Sequence, residues 1–324
     1  MTPSIDLFRV QVLPYFRYFE ESKGIIGGDD AFTEYPKCFR TVDIELNECV
    51  LLEDLKIRGF IPIDRHTEEP SYDHIRLFLL ALAKYHAISL AIKDQQPEKF
   101  QSLTANTKVF IIDRDNESFH AYFNEQVQYA SNLLSAEEDA HVLKKLKQFF
   151  SKDALDIFVD LIEQGAMEPA AVVSYGDANL NNSLFRYDNS KKPVEICLLD
   201  WQESWLGTPI ADVVYYLFVS VTKAIRDAHY DHLLKEYHTQ LSTHLRRLGS
   251  DPEKLFPYEL MQEHLRKYGR QAILLAFMAL PALTSEPDYC YFDEPADGVT
   301  TESDESSSIG YNNNNKCEMS SKTL

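Results

Sequence analysis

Residues 172–202 constrain this chain more than any other stretch. An apolar run from Val172 reaches Gly176-Asp177, a polar loop follows, and Asn181-Asn182 open a second run, Ser183–Tyr187. Asp188 to Pro193 is turn chemistry, and Val194–Leu199 is a third run that ends at Asp200. Two short β-prone runs around a turn cluster predict a hairpin. Pairing Tyr187 with Val194 across the turn sets Asn182 opposite Leu199, beside Asp200. Directly opposed residues have Cβ atoms about 4.5–5.5 Å apart. Asn182 and Asp200 therefore converge on one small volume, with Asp177 approaching from the loop. Two carboxylates and a carboxamide are hard oxygen donors, suited to Mg²⁺ that keeps waters and shares a substrate's phosphates.

Phosphoryl transfer needs such a set: an aspartate to accept the hydroxyl proton, then an Asn and an Asp to hold metal. The order Asp177-x4-Asn182, hairpin, Asp200 has the spacing of kinase-like catalytic cores. Tyr-Gly-Asp-Ala-Asn-Leu-Asn-Asn (175–182) with Leu-Leu-Asp-Trp-Gln (198–202) resembles the His-Gly-Asp…Asn-Asn and Asp-Phe-Gln signatures of the ecdysteroid kinase-like family. That family is a choline-kinase-like branch of the aminoglycoside phosphotransferase and choline kinase group. The resemblance implies ATP and Mg²⁺ as cofactors, Asp177 as base, and Asn182 and Asp200 as metal ligands. Tyr175 and Asp212 would support the catalytic loop, Asp212 by hydrogen-bonding its backbone. Two positions depart from the pattern: Tyr175 stands for the usual His and Trp201 for the usual Phe.

Other chemistries fit less well. Asp and Asn serve turns in most proteins, but turn duty alone leaves the convergence of three oxygen donors unexplained. A metallophosphatase would want histidine ligands near its Gly-Asp, and none lies between Tyr175 and Trp205. The formal net charge of −19 argues against nucleic acid or an anionic membrane as the main partner. Five cysteines without metal spacing point to reduced thiols, with Cys197 as a small core residue of its strand. The N-terminus lacks a basic region followed by an apolar one, and the longest apolar run noted, Ala272–Leu280, is too short to span a bilayer. The expectation is a cytoplasmic monomer.

In chain order, Ile5–Phe16 resembles the end of the family's first helix, with Ile5 where the family has a Glu that pairs with a strand lysine. No glycine-rich strand-turn-strand or lysine precedes it. Runs 37–42 and 49–52 read as strands, and Glu53-Asp54-Leu55 with Gly59-Phe60 resembles the hinge that holds adenine; a solvated strand end is the other reading. Ser71 is a helix N-cap ahead of Ile75, Leu79, Leu82 and His86 at helical spacing to about Ala91, with His86 read as a packed core residue. Residues 117–165 are helical with breaks near Ser135 and Ser151. A helix containing Asp212, another over 226–248, and a last helical region over 257–280 follow. His229 and His232 share a face but no acid was evident beside them, so a solvated face is the expectation. After Ser285 the acidic and Asn-rich composition predicts disorder.

The predicted fold is α+β and protein-kinase-like, with a truncated β-rich N-lobe and a mainly helical C-lobe. The expected divisions are 1–64 as partial N-lobe and hinge, 65–285 as C-lobe, and 286–324 as tail. The implied activity is transfer of the ATP γ-phosphate to a hydroxyl on a small molecule, such as an ecdysteroid-like alcohol. The competing expectation is a catalytically impaired or non-catalytic binding protein on a kinase fold, which the missing glycine-rich loop and lysine would explain.

Overall fold

The computed structural model describes residues 11–284 apart from 43, 45–48, 64–67 and 106–113. The chain divides into a compact unit, Met1–Ser285, and a second unit, Glu286–Leu324. The predicted tail, Ile5 and Asp6 lie outside the described residues.

Helix α2 (Tyr72–Gln95) is the axis of the unit. It is buried almost continuously from His74 to Ile92, because apolar residues cover most of its circumference. Ser71 precedes it and donates its backbone N–H to His74 Nδ1 at 3.1 Å, while Asp73 in the first turn suits the helix dipole. By length and composition α2, rather than the shorter run Ala272–Leu280, could cross a bilayer. Its apolar stretch is 83% buried inside the protein, so it reads as a core helix. Its main partner is α8 (Lys223–Arg247), which buries Leu234, Tyr237, Leu241 and Leu245 at the spacing expected, and ends before Gly249 in the left-handed region.

The hairpin forms as β4 (Ser183–Tyr187) and β5 (Pro193–Leu198). At its mouth the register is the expected one: Ser183 pairs with Leu198, and Leu199 N–H donates to Asn182 O at 2.8 Å. At the turn end it differs. Tyr187 pairs with Pro193 instead of Val194, because an irregularity between Arg186 and Tyr187 absorbs one residue, with Lys191 left-handed in the turn. Both edges are held by N-terminal segments. Ile61 and Phe185 exchange backbone bonds of 2.9 and 2.8 Å, and Leu198 N–H donates to Glu34 O at 2.8 Å. A two-residue pair, β3 (Val172–Val173) with β6 (Leu206–Gly207), closes the segment behind the hairpin.

A second small sheet pairs β1 (Cys38–Val42) with β2 (Cys49–Leu52), near the runs read as strands. The first helix is corrected: α1 runs Leu13–Ser22, beyond the end expected at Phe16, because Pro14 sits in its first turn where no N–H is missed. The region 117–166 forms α4 (Glu117–Asn132), α5 (Ala140–Phe149) and α6 (Ala154–Ala166), with breaks where expected. The last helical region is three helices, α9 (Pro252–Leu255), α10 (Tyr258–Tyr268) and α11 (Gln271–Thr284). Between α2 and α4 lies α3 (Pro97–Thr104), and α7 (Pro209–Val219) carries Asp212.

Candidate active site

Asp177 stands half-buried in the loop between β3 and β4, and its carboxylate is held by three neutral donors. Asn182 Nδ2 lies 2.6 Å from Oδ2; Asn179 Nδ2 and the Tyr215 hydroxyl lie 2.7 and 2.9 Å from Oδ1. The local reason is a tight turn. Asn179 Oδ1 accepts from Asn181 N–H and starts a single 3-10 turn, Leu180–Asn182, which swings Asn182 back onto Asp177. Leu180 N–H is in turn tied to Ser220 Oγ at 2.9 Å, at the end of α7.

Asp212 braces the loop from below. Its Oδ2 accepts from Tyr175 N–H at 2.7 Å and its Oδ1 from Gly176 N–H at 2.9 Å, with the carboxylate wholly buried. This is the backbone contact that the resemblance implied. His86 is buried as expected and adds a third bond to Asp212 Oδ2 at 2.9 Å; its other ring nitrogen meets the Tyr237 hydroxyl at 2.8 Å. Thr208 caps the first turn of α7 through Ile210 N–H, which fixes where Asp212 points.

Tyr175 supports the loop by its ring and its hydroxyl. The ring packs edge-on against Trp201, 4.6 Å between centroids. Its hydroxyl bonds both strand ends at the hairpin mouth, Leu199 O and Asn182 O, a reach that a histidine ring lacks. Burial, then Asp177, Asp200 and Asp212, push the phenol well above its ordinary range. Trp201 is buried with its Nε1–H donating to Leu198 O at 3.2 Å, so the position usually Phe has room for an indole.

Asp200 sits at the corner after β5 with φ +52°, a left-handed backbone that turns the chain sharply out of the strand. Gln202 Nε2 donates to its carboxylate at 3.4 Å. The hairpin register sets Asp200 next to the residue opposite Asn182, as the sequence predicted. The loop and the segment after Asp200 press together at Gly176. Its φ is +91°, and a Cβ there would lie 1.8 Å from Glu203 O. Glu203, which the sequence reading passed over, is half-buried; burial, then Asp177 and Asp200, push its carboxyl up.

Glu53, Asp54 and Leu55, expected to form a hinge, follow β2 and lead into a 3-10 turn, Leu55–Arg58. Their side chains serve local structure. Glu53 accepts from Lys37 N–H at 3.0 Å and pairs with Arg58 at 3.1 Å. Asp54 caps the turn through Lys56 N–H at 2.9 Å, and Leu55 is buried against Phe60 and Cys197. Glu53 and Trp201 line a cleft of ≈ 770 Å³, to which Arg17, Lys37, Arg40 and Arg58 bring positive charge and Glu20 and Glu21 negative charge. Lys37 and Arg40 have no ion-pair partner among the described residues.

The donor set fits Mg²⁺. The Asn182 amide nitrogen is committed to Asp177, which leaves its oxygen without a hydrogen-bond partner among the described residues. Among the described residues a preformed three-ligand cage occurs only at His120, Asp153 and Asp156, whose atoms lie within 4.8 Å. Asn182 Oδ1 and the Asp200 carboxylate are hard oxygen donors of the kind that Mg²⁺ shared with phosphates would take. His229 and His232 are exposed, the solvated face expected; an acid does stand beside them, Glu236 at 3.8 Å from His232, but it is taken by Tyr72 and Arg76.

The match to the ecdysteroid kinase-like family model runs over residues 5–250. The chain belongs to the ecdysteroid kinase-like family. Its fold is the kinase-like α+β architecture predicted, mainly helical with the hairpin at its centre. No curated protein matches the chain. Similar solved structures include an ethanolamine kinase of Plasmodium vivax, 16% identical, covering 86% of this chain and 69% of that one, with a TM-score of 0.40. A choline kinase of Cryptosporidium parvum is 15% identical over 84% and 74%, TM-score 0.40. An aminoglycoside phosphotransferase of Streptomyces rimosus, in complex with ADP and streptomycin, is 12% identical over 85% and 82%, TM-score 0.30.

Three residues of this family member escaped the sequence reading: Asn179, Tyr215 and Glu203. The signal for Tyr215 was present, since Asp212-x2-Tyr215 places both on one helix face. Nothing local distinguishes Glu203 from a surface acid.

Proposed function

We propose that this chain transfers the γ-phosphate of ATP to a hydroxyl on a small molecule, an ecdysteroid-like or other alcohol. The observation that carries the reading is the Asn182–Asp177 bond of 2.6 Å at the mouth of a hairpin whose register brings Asp200 alongside. Asp177 takes the alcohol's proton as its oxygen attacks phosphorus. Asn182 and Asp200 would hold Mg²⁺, which neutralises phosphate charge when bound. The cleft lined by Glu53 would receive the adenine, with backbone groups of Glu53, Asp54 and Leu55 as partners, and Lys37 and Arg40 would face its phosphates.

Phosphoryl transfer depends almost entirely on such positioning and charge stabilisation. The residues described supply the lower half of that clamp: a base fixed by three donors, on a loop fixed by a buried carboxylate. The test is nucleotide affinity by calorimetry with and without Mg²⁺, then γ-phosphate transfer to a panel of small alcohols. The expected result is Mg²⁺-dependent ATP binding and transfer that Asp177→Ala abolishes. Binding without transfer would favour a kinase-fold binding protein, and no Mg²⁺-dependent binding would refute the proposed metal site.

A further inference from the structure

We infer that Tyr215 is a positioning residue that decides which oxygen of Asp177 takes the acceptor's proton; the inference rests on Asp177 being the base. Each carboxylate oxygen offers about two lone-pair sites. On Asp177, Oδ1 already accepts from Asn179 Nδ2 at 2.7 Å and from the Tyr215 hydroxyl at 2.9 Å. Oδ2 accepts one side-chain bond, from Asn182 Nδ2 at 2.6 Å. Oδ1 is filled and Oδ2 has a site left. The proton therefore goes to Oδ2, the oxygen that touches the proposed metal ligand. In that step the alcohol oxygen bonds to the γ-phosphorus, the bond from phosphorus to the β,γ-bridging oxygen breaks, and ADP departs with the electron pair.

The two donors on Oδ1 differ in what they can fix. Asn179 belongs to the same turn as Asp177, so it moves with the loop. Tyr215 comes from α7 and stands three residues after Asp212, on the same helix face. One helix thus holds the loop's backbone through Asp212 and the base's side chain through Tyr215. The phenol is 7% exposed, so packing fixes its hydroxyl relative to that backbone. Without it Oδ1 keeps only the Asn179 bond and has a site open, so either oxygen can take the acceptor's proton.

The test uses Tyr215→Phe, which keeps the ring and removes the hydroxyl. The expected kinetic result is a fall in kcat of about 10- to 100-fold with KM for ATP unchanged; an unchanged kcat overturns the role. A second measurement needs no activity. Melting temperatures of Tyr215→Phe, Asp177→Ala and the double variant should be non-additive, the double melting within error of Asp177→Ala alone. Additive losses would overturn the contact itself. Non-additive losses in a protein that transfers no phosphate would instead leave the contact standing and overturn the proposed function, and with it the positioning role.

Discussion

Gly176→Ala tests the close approach that joins the loop carrying Asp177 to the segment after Asp200. Two costs add at this position. An alanine at φ +91° takes a left-handed backbone, worth about 1–2 kcal/mol. Its Cβ would also lie 1.8 Å from Glu203 O, a backbone atom that cannot rotate away, so the contact must open to about 3 Å. Opening it strains bonds that pin the two segments: Ser204 Oγ to Tyr175 O at 3.2 Å and Ser174 N–H to Trp205 O at 2.7 Å. Overpacking of this kind costs about 1–3 kcal/mol beyond the backbone term, for a total of about 2–5 kcal/mol.

Gly249→Ala is the control. Its φ is +83°, but a Cβ there would meet only Gln95 Nε2 at 4.0 Å, so it carries the backbone cost alone. With about 2–4 °C lost per kcal/mol in a domain of this size, Gly176→Ala should lower the melting temperature by roughly 10 °C and Gly249→Ala by roughly 4 °C. The assay is thermal unfolding followed by circular dichroism, with phosphate transfer measured on the folded fraction. A shift of about 1 Å at Asp177, the proposed base, should also cost on the order of 10²-fold in turnover. A Gly176→Ala protein as stable as Gly249→Ala would refute the argument, because it would mean that the two segments are not in contact.

Asp212→Asn replaces one acceptor oxygen by a donor, so either Tyr175 N–H or Gly176 N–H faces an N–H₂; urea denaturation should show a loss of about 2–4 kcal/mol, and wild-type stability would refute the brace. Tyr175→Phe removes the hydroxyl at the hairpin mouth and should cost about 1–2 kcal/mol while weakening Mg²⁺-dependent nucleotide binding, read by calorimetry. His120 lies between two acceptors, Arg114 O at 2.6 Å and Asp153 Oδ1 at 2.7 Å; the first, then the second, raise its pKa above the ordinary value of 6.5. The imidazolium is favoured in the folded state, so its stabilisation is complete below pH 6.5 and fades as pH rises through the raised value. The melting difference between wild type and His120→Gln should therefore be largest in acid and shrink in alkali; a pH-independent difference would refute it.

The hairpin, its mouth register and the helices were legible in the sequence because each depends on neighbours in the chain. Alternation between turn residues sets Asn182 against Leu199, and helical spacing sets Leu234, Tyr237, Leu241 and Leu245 inward. At the hairpin's other end one-residue slippage escaped, since a bulge costs little where the strands leave the core. The family was legible for the same reason as the hairpin: its signature lies within about thirty residues of continuous chain.

What only the tertiary structure decided is the set of partners that meet from distant segments. His86 reaches Asp212 and is itself held by Tyr237, from helices far apart in sequence, Tyr215 reaches back to Asp177, and Glu34 and Ile61 bind the two edges of the hairpin. No periodicity encodes these contacts, because their geometry depends on how whole helices pack. Tyr175 shows the division. Its place before Gly176-Asp177 was plain in the sequence, and its departure from histidine raised the question of how the loop is held. Only the fold answers it: the phenol's extra length carries its hydroxyl to Asn182 O and Leu199 O, two carbonyls that folding brings within reach of one atom.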